Sequence, residues 1–172
     1  MSASNEIIDA VSKAEKIARF RQNFTLVPQQ MRGIDLPVDL EWQTVRFLKR
    51  NVPNVAKLPG VYAFAVAHQT GGLPPHSYIL YVGQTGAKPN DRSLRARILD
   101  YFREPKNPKR GHIYKLIKTW KTCLLFHFAP IDPQEADILE IEAKLNNALM
   151  PPYSIQDFSP AIRKAKRIME LS

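Results

Sequence analysis

Tyrosine, arginine and glutamate occur in this chain at spacings that group them for proton transfer or phosphate binding. Tyr62 and Tyr81 each stand two residues from a glycine, as Gly60-Val61-Tyr62 and Tyr81-Val82-Gly83. Arg97 and Tyr101 stand four apart, which places them on one face of a helix. A guanidinium beside a phenol makes a phosphate clamp, because the planar fork of donors matches phosphate oxygens. An edge arginine snorkelling over an aromatic ring gives the same spacing. Glu142 falls inside the apolar arc formed by Ile138, Leu139, Ile141, Leu145, Ala148 and Leu149, whereas Glu140, Lys144 and Asn147 lie opposite. A carboxylate on the inward face needs a cation, a donor cluster or a metal to offset its desolvation. Both a salt bridge to an arginine and a metal site meet that need.

The elements that must position these groups are legible from pattern. Val61–Ala67 and Tyr78–Val82 are rich in β-branched and aromatic residues and flank a turn-forming insert, which predicts an antiparallel hairpin. Ser93 caps a helix whose buried arc is Leu94, Ile98, Tyr101 and Phe102. Ile113, Leu116, Ile117 and Trp120 predict another short helix, and Cys123–Phe128 a third strand. Asp132-Pro133-Gln134-Glu135 combines a capping Asp, Pro at the first helical position and Glu three residues on, so a helix is expected from there to about Leu149. Glu6 to about Phe20 reads as an amphipathic helix, Leu40–Asn51 fits helix or strand, and Ser159-Pro160 opens a basic helix. The expected fold class is α+β: a small three-stranded antiparallel sheet flanked by helices. The expected organisation is an N-terminal helical extension over 1–55, a core over 56–154, and a C-terminal basic helix over 155–172 packing on the same unit.

Charge narrows the partner. Lys and Arg number 25 against 16 Asp and Glu, a net +9. Most of the excess lies between Gly86 and Lys121, where eleven basic residues meet three acids. This favours a polyanion-binding face, with Lys88, Arg92, Arg95, Arg103, Lys106, Lys109 and Arg110 as candidate nucleic-acid contacts. A lone Cys123 leaves no disulfide framework and no Cys-rich zinc module. The four histidines have no partners at metal-ligand spacing and read as structural or exposed. No apolar run approaches the roughly 20 residues of a membrane span, and no secretory signal opens the chain, so a cytoplasmic protein with no membrane partner is expected.

Pro59-Gly60-Val61-Tyr62, Leu80-Tyr81-Val82-Gly83, Ser93–Phe102 and Ile141–Tyr153 follow one another in an order that resembles the GIY-YIG nuclease family. The likeness is greatest to the version in the incision subunit of bacterial nucleotide excision repair. That family's pattern runs Gly-aliphatic-Tyr, Tyr-aliphatic-Gly, a helix bearing Arg with an aromatic or His four residues on, and a helix bearing Glu nine residues before Pro. Here Glu142 precedes Pro151 by nine, and the resemblance covers residues 59–153. It implies a metal-dependent endonuclease that hydrolyses phosphodiester bonds in DNA. Tyr62 would be the general base, Tyr81 its partner in the water and phosphate network, Arg97 the phosphate clamp, and Tyr101 a phosphate or leaving-side contact. Glu142 would be the sole protein ligand of one Mg²⁺ or Mn²⁺, with water completing its shell and no organic cofactor. A phenol with an ordinary pKa of about 10 is a poor base at neutral pH, so positive charge must surround it. Gln84 and Ser154 stand where the repair-subunit version carries Lys and often Asn. A single site cuts both strands of a duplex only sequentially or as a homodimer. Two rivals remain at this stage: a DNA-binding accessory module of the same fold that cuts nothing, and an RNA-associated basic protein.

Overall fold

A computed structural model describes residues 3–68, 76–87, 92–103, 111–154 and 158–171. Strands β2 (Gly60–His68), β3 (His76–Thr85) and β4 (Leu124–Pro130) form where the β-branched and aromatic runs predict them. A further strand, β1 (Gln43–Arg46), pairs with β4, so the sheet has four strands in the order β1-β4-β2-β3, every pair antiparallel, rather than three. The extra strand comes from the segment that fits either helix or strand by pattern. Residues 1–55 therefore contribute to the sheet as well as supplying α1 (Ala3–Ala18), α2 (Pro28–Arg32) and a 3-10 turn over Lys49–Asn54.

Alternation along the strands splits the interior into two layers. Tyr62, Phe64, Phe126 and Phe128 point to one face, where they pack under Leu94 and Ile98 of α3 (Leu94–Tyr101) and Ile113 and Leu116 of α4 (Gly111–Trp120). Val61, Ala63, Val82 and Ala129 point to the other, beneath Ile138, Ile141 and Leu145 of α5 (Ile138–Leu149). Each large apolar side chain fully buried in these layers contributes about 1.5–3 kcal/mol. A register shift between Phe64 and Ala65 pairs Phe64 with Tyr81 but Ala65 with Ile79. The additional residue lets Leu80 and Tyr81 both enter the aromatic layer.

Helix α5 starts later than the sequence predicts. Asp132 caps only a turn, accepting from the Gln134 amide. Asp137 is the helix cap: its Oδ1 accepts from the Leu139 amide at 2.8 Å and the Glu140 amide at 3.3 Å. Asp137 and Glu140 repeat the same cap-to-acid spacing closer to the apolar arc, and the burial of Ile138 decides between the two starts. After α5 the chain turns through Met150, in a left-handed conformation at φ 43°, and runs back along β3. There the Tyr153 amide donates to the Leu80 carbonyl at 2.9 Å, and Ser154 Oγ accepts from the Val82 amide at 3.1 Å. These bonds occupy part of the outer side of an edge strand.

The terminal helices pack differently. Along α1, Ile7, Ile8, Val11 and Ile17 are more than half exposed, so its apolar stripe does not join the core. Phe20 and Phe24, just after it, do make contacts, with Trp120 and Tyr78 respectively. Helix α6 (Pro160–Leu171) begins where Ser159-Pro160 predicts, its Arg163 amide donating to the Ser159 carbonyl. No described helix is long and apolar enough to cross a membrane.

Candidate active site

Three hydroxyls and one guanidinium converge on the aromatic layer. Tyr62 comes from the central strand β2, Tyr81 from the edge strand β3, and Arg97 and Tyr101 from α3. The Ser93 side chain fixes the start of α3 by accepting from the Ala96 amide, which sets the helical phase of Arg97 and Tyr101. Tyr62 Oη and Tyr101 Oη are 2.6 Å apart, and Arg97 Nε donates to Tyr62 Oη at 3.1 Å. The Arg97 guanidinium also lies 5.0 Å from the centre of the Tyr101 ring. The Tyr81 ring is 6.2 Å from that of Tyr62.

Gly83 explains the second tripeptide. It pairs across the sheet with Tyr62, and a Cβ built on it would lie 2.5 Å from the Tyr62 oxygen and 2.8 Å from the Tyr81 ring. Only a residue without a side chain leaves room for that phenol. Gly60 meets a different constraint: at φ +152° it packs so closely on β4 that a Cβ would fall 2.1 Å from the Ala129 carbonyl oxygen.

The cluster is electrostatically self-consistent. Burial alone would lower the pKa of Arg97. The phenols of Tyr62, Tyr101 and Tyr81 outweigh it and hold the guanidinium above its ordinary range. Burial, followed by the proximity of Tyr62 and Tyr81, pushes Tyr101 well above the usual phenol range, with Arg97 countering in part. Tyr62 Oη therefore meets the Arg97 Nε–H and, at 2.6 Å, the Tyr101 hydroxyl. Tyr62 and Tyr101 are fully buried, Tyr81 is 7% exposed, and Arg97 is partly exposed. The guanidinium is thus the member of the group that most openly meets solvent.

Glu142 stands on a different element. Its helix packs on the reverse face of the sheet, and Glu142 is half-buried there. Helix α5 runs antiparallel to β3. Near its start, Ala136–Leu139 share a cavity with Ala87, just beyond β3, and beyond its end Tyr153 bonds to Leu80. Among the described residues no group of three or more His, Cys, Asp and Glu side chains is assembled. Glu142 itself offers one hard carboxylate donor, of the kind Mg²⁺ or Mn²⁺ takes.

The candidate nucleic-acid residues divide into three groups. Arg95 is committed to the fold: its Nε donates to the Val55 carbonyl at 2.7 Å and its terminal nitrogen to the Pro53 carbonyl at 2.6 Å. Those two bonds tie α3 to the 3-10 turn. Arg92 pairs with Asp100 at 2.5 Å on the surface, and Arg103 is exposed. Lys88, Lys106, Lys109 and Arg110 lie outside the described residues.

Sequence reasoning missed His112. Its ring lies 6.5 Å from that of Tyr81 at the start of α4, an approach created by helix packing that no local spacing signals. His127, read as structural or exposed, is half-buried in β4. Its Nδ1 is 2.6 Å from Thr44 Oγ1, its buried Nε2 has no partner, and burial lowers its pKa from the ordinary 6.5.

Comparison with family models, with curated proteins and with solved structures finds no match for this chain.

Proposed function

We propose that the protein is a metal-dependent endonuclease that hydrolyses phosphodiester bonds in DNA, with a GIY-YIG-type arrangement built on strands β4, β2 and β3. The observation that carries this reading is the convergence of Tyr101 and Arg97 on the Tyr62 oxygen beneath Gly83. A structural tyrosine needs one hydrogen-bond partner. Here a permanently cationic guanidinium and a second phenol surround the same oxygen, the environment a phenolate base needs before it takes the proton of an attacking water and becomes neutral, the negative charge passing to the phosphate.

In this reading Arg97, partly exposed, makes the first contact with the scissile phosphate and stabilises the charge that develops on it. Tyr81, at the margin of the cluster, orders the water and phosphate network, and Tyr62 accepts the proton while Tyr101 holds its oxygen in place. Glu142 would hold one Mg²⁺ or Mn²⁺, which supplies Lewis acidity at the phosphate when bound. Two conditions follow from the geometry. The covered Tyr62 oxygen must open to water when a strand binds, and Glu142 must reach the cluster past the edge of β3.

The full burial of Tyr62 and Tyr101 favours a second reading, a DNA-binding module that cuts nothing. Supercoiled plasmid incubated with the protein and Mg²⁺ or Mn²⁺, beside Glu142→Ala and Tyr62→Phe, separates the two. Nicking by the unmodified protein that both variants abolish supports the nuclease. Retained DNA binding without nicking supports the module, and preferential displacement of bound DNA by structured RNA would overturn both.

A further inference from the structure

The chain leaving α1 and the helix α6 meet at a cleft far apart in sequence from the phenol cluster. Arg21, Gln22, Asn23 and Thr25 line it from one side, Pro152 forms part of its wall, and Lys166 reaches it from α6; its volume is about 620 Å³. The lining offers two cations and three amide or hydroxyl side chains, with no carboxylate. The surrounding sequence is net positive: Lys16 and Arg19 accompany Arg21 against Glu15, and Arg163, Lys164 and Arg167 accompany Lys166 against Asp157 and Glu170.

Two net-cationic segments border one cleft, an arrangement complementary to a polyanion. The cleft is also anchored. Gln22 Nε2 donates to Tyr153 Oη at 3.0 Å, Phe20 packs on Trp120, and the Lys166 ammonium lies 4.7 Å from the centre of the Phe158 ring. Tyr153 and Trp120 belong to or pack against the same aromatic layer as Tyr62, so the cleft borders the side of the sheet that carries Arg97.

We propose that this cleft is a phosphate-binding subsite that grips the backbone of the DNA whose scissile ester lies at Arg97. The proposal rests on the nuclease reading and adds a second anchoring point to it. The probe is a fluorescent DNA duplex, with binding measured across a range of KCl for the unmodified protein and for Arg21→Gln/Lys166→Gln. Loss of two phosphate contacts lowers the slope of log affinity against log salt by about two and weakens binding by roughly tenfold or more at moderate salt. The nicking rate at saturating duplex stays unchanged, because neither residue touches the reacting atoms. Should the double variant lose structure by circular dichroism, each single variant is expected to lower the slope by about one.

An unchanged affinity and slope in the variants overturns the subsite, and plasmid nicking by the unmodified protein then shows that the nuclease reading survives without it. Duplex binding that depends on Arg21 and Lys166 in a protein that never nicks retains the cleft as a DNA contact and removes the nuclease. Inorganic phosphate is the second probe. If it perturbs the Asn23 and Thr25 amides in nuclear magnetic resonance spectra while the variants still bind duplex normally, the cleft is a small-anion site and the proposal fails.

Discussion

The two faces of the sheet are made by alternate residues of the same strands, yet they treat buried polar groups in opposite ways. On the aromatic face the hydroxyls of Tyr62 and Tyr101 are joined to each other and to Arg97. On the α5 face lie Gln84 and His127, by strand parity, and α5 itself carries Asn146. Gln84 Oε1, His127 Nε2 and both amide atoms of Asn146 are buried without a hydrogen-bond partner. A connected buried network rigidifies its surroundings, whereas an orphaned polar atom costs about 1–3 kcal/mol. Polarity on the first face is therefore organised around one oxygen, and polarity on the second is a set of separate local costs.

Substitutions can break or sharpen this contrast. The largest effect is expected for Tyr62→Ala, which empties the centre of the aromatic layer and should lower stability by about 3–5 kcal/mol in urea denaturation. Tyr62→Phe keeps the ring and should abolish nicking with a much smaller stability loss; equal losses from the two variants would mean that the hydroxyl network, not the ring, holds this layer. Gly83→Ala comes next. Its methyl group would press on the Tyr62 oxygen, at a cost of about 1–3 kcal/mol together with loss of activity.

Asn146→Leu should act in the opposite direction, raising stability by about 1–2 kcal/mol because it removes an unsatisfied buried amide. A destabilised Asn146→Leu would show that the amide has a partner in solution and would erase the difference between the faces. The smallest effect concerns pH. Because burial depresses the His127 pKa, the unfolded chain takes up a proton first as the solution is acidified. Stability from this group is complete above the ordinary value of 6.5 and is lost as pH falls below it through the depressed folded value. His127→Gln should flatten that part of a melting-temperature profile measured between neutral and mildly acidic pH.

Much of the aromatic face was legible in the sequence because its signals are local. Strand composition located β2, β3 and β4, the Ser93 cap set the phase of α3, and the four-residue spacing of Arg97 and Tyr101 put them on one side. The features that local pattern does not carry depend on tertiary choices. Strand β1 forms because β4 offers a free edge to Gln43–Arg46, something its own sequence does not specify. The start of α5 was a contest between two similar caps, won by the one adjoining the buried Ile138. Arg95 has the same side chain as Arg97, and only the position of the 3-10 turn turns it toward backbone carbonyls. Helical periodicity placed Glu142 on an inward arc without saying which side of the sheet that arc would cover.

The run of chain after α5 also bears on self-association. Because Tyr153 and Ser154 already occupy hydrogen-bonding positions at Leu80 and Val82, that border is a poor template for an incoming strand from another molecule. The opposite border is β1, only four residues long and ending in Arg46. Continuous sheet extension is therefore interrupted at one margin and short at the other.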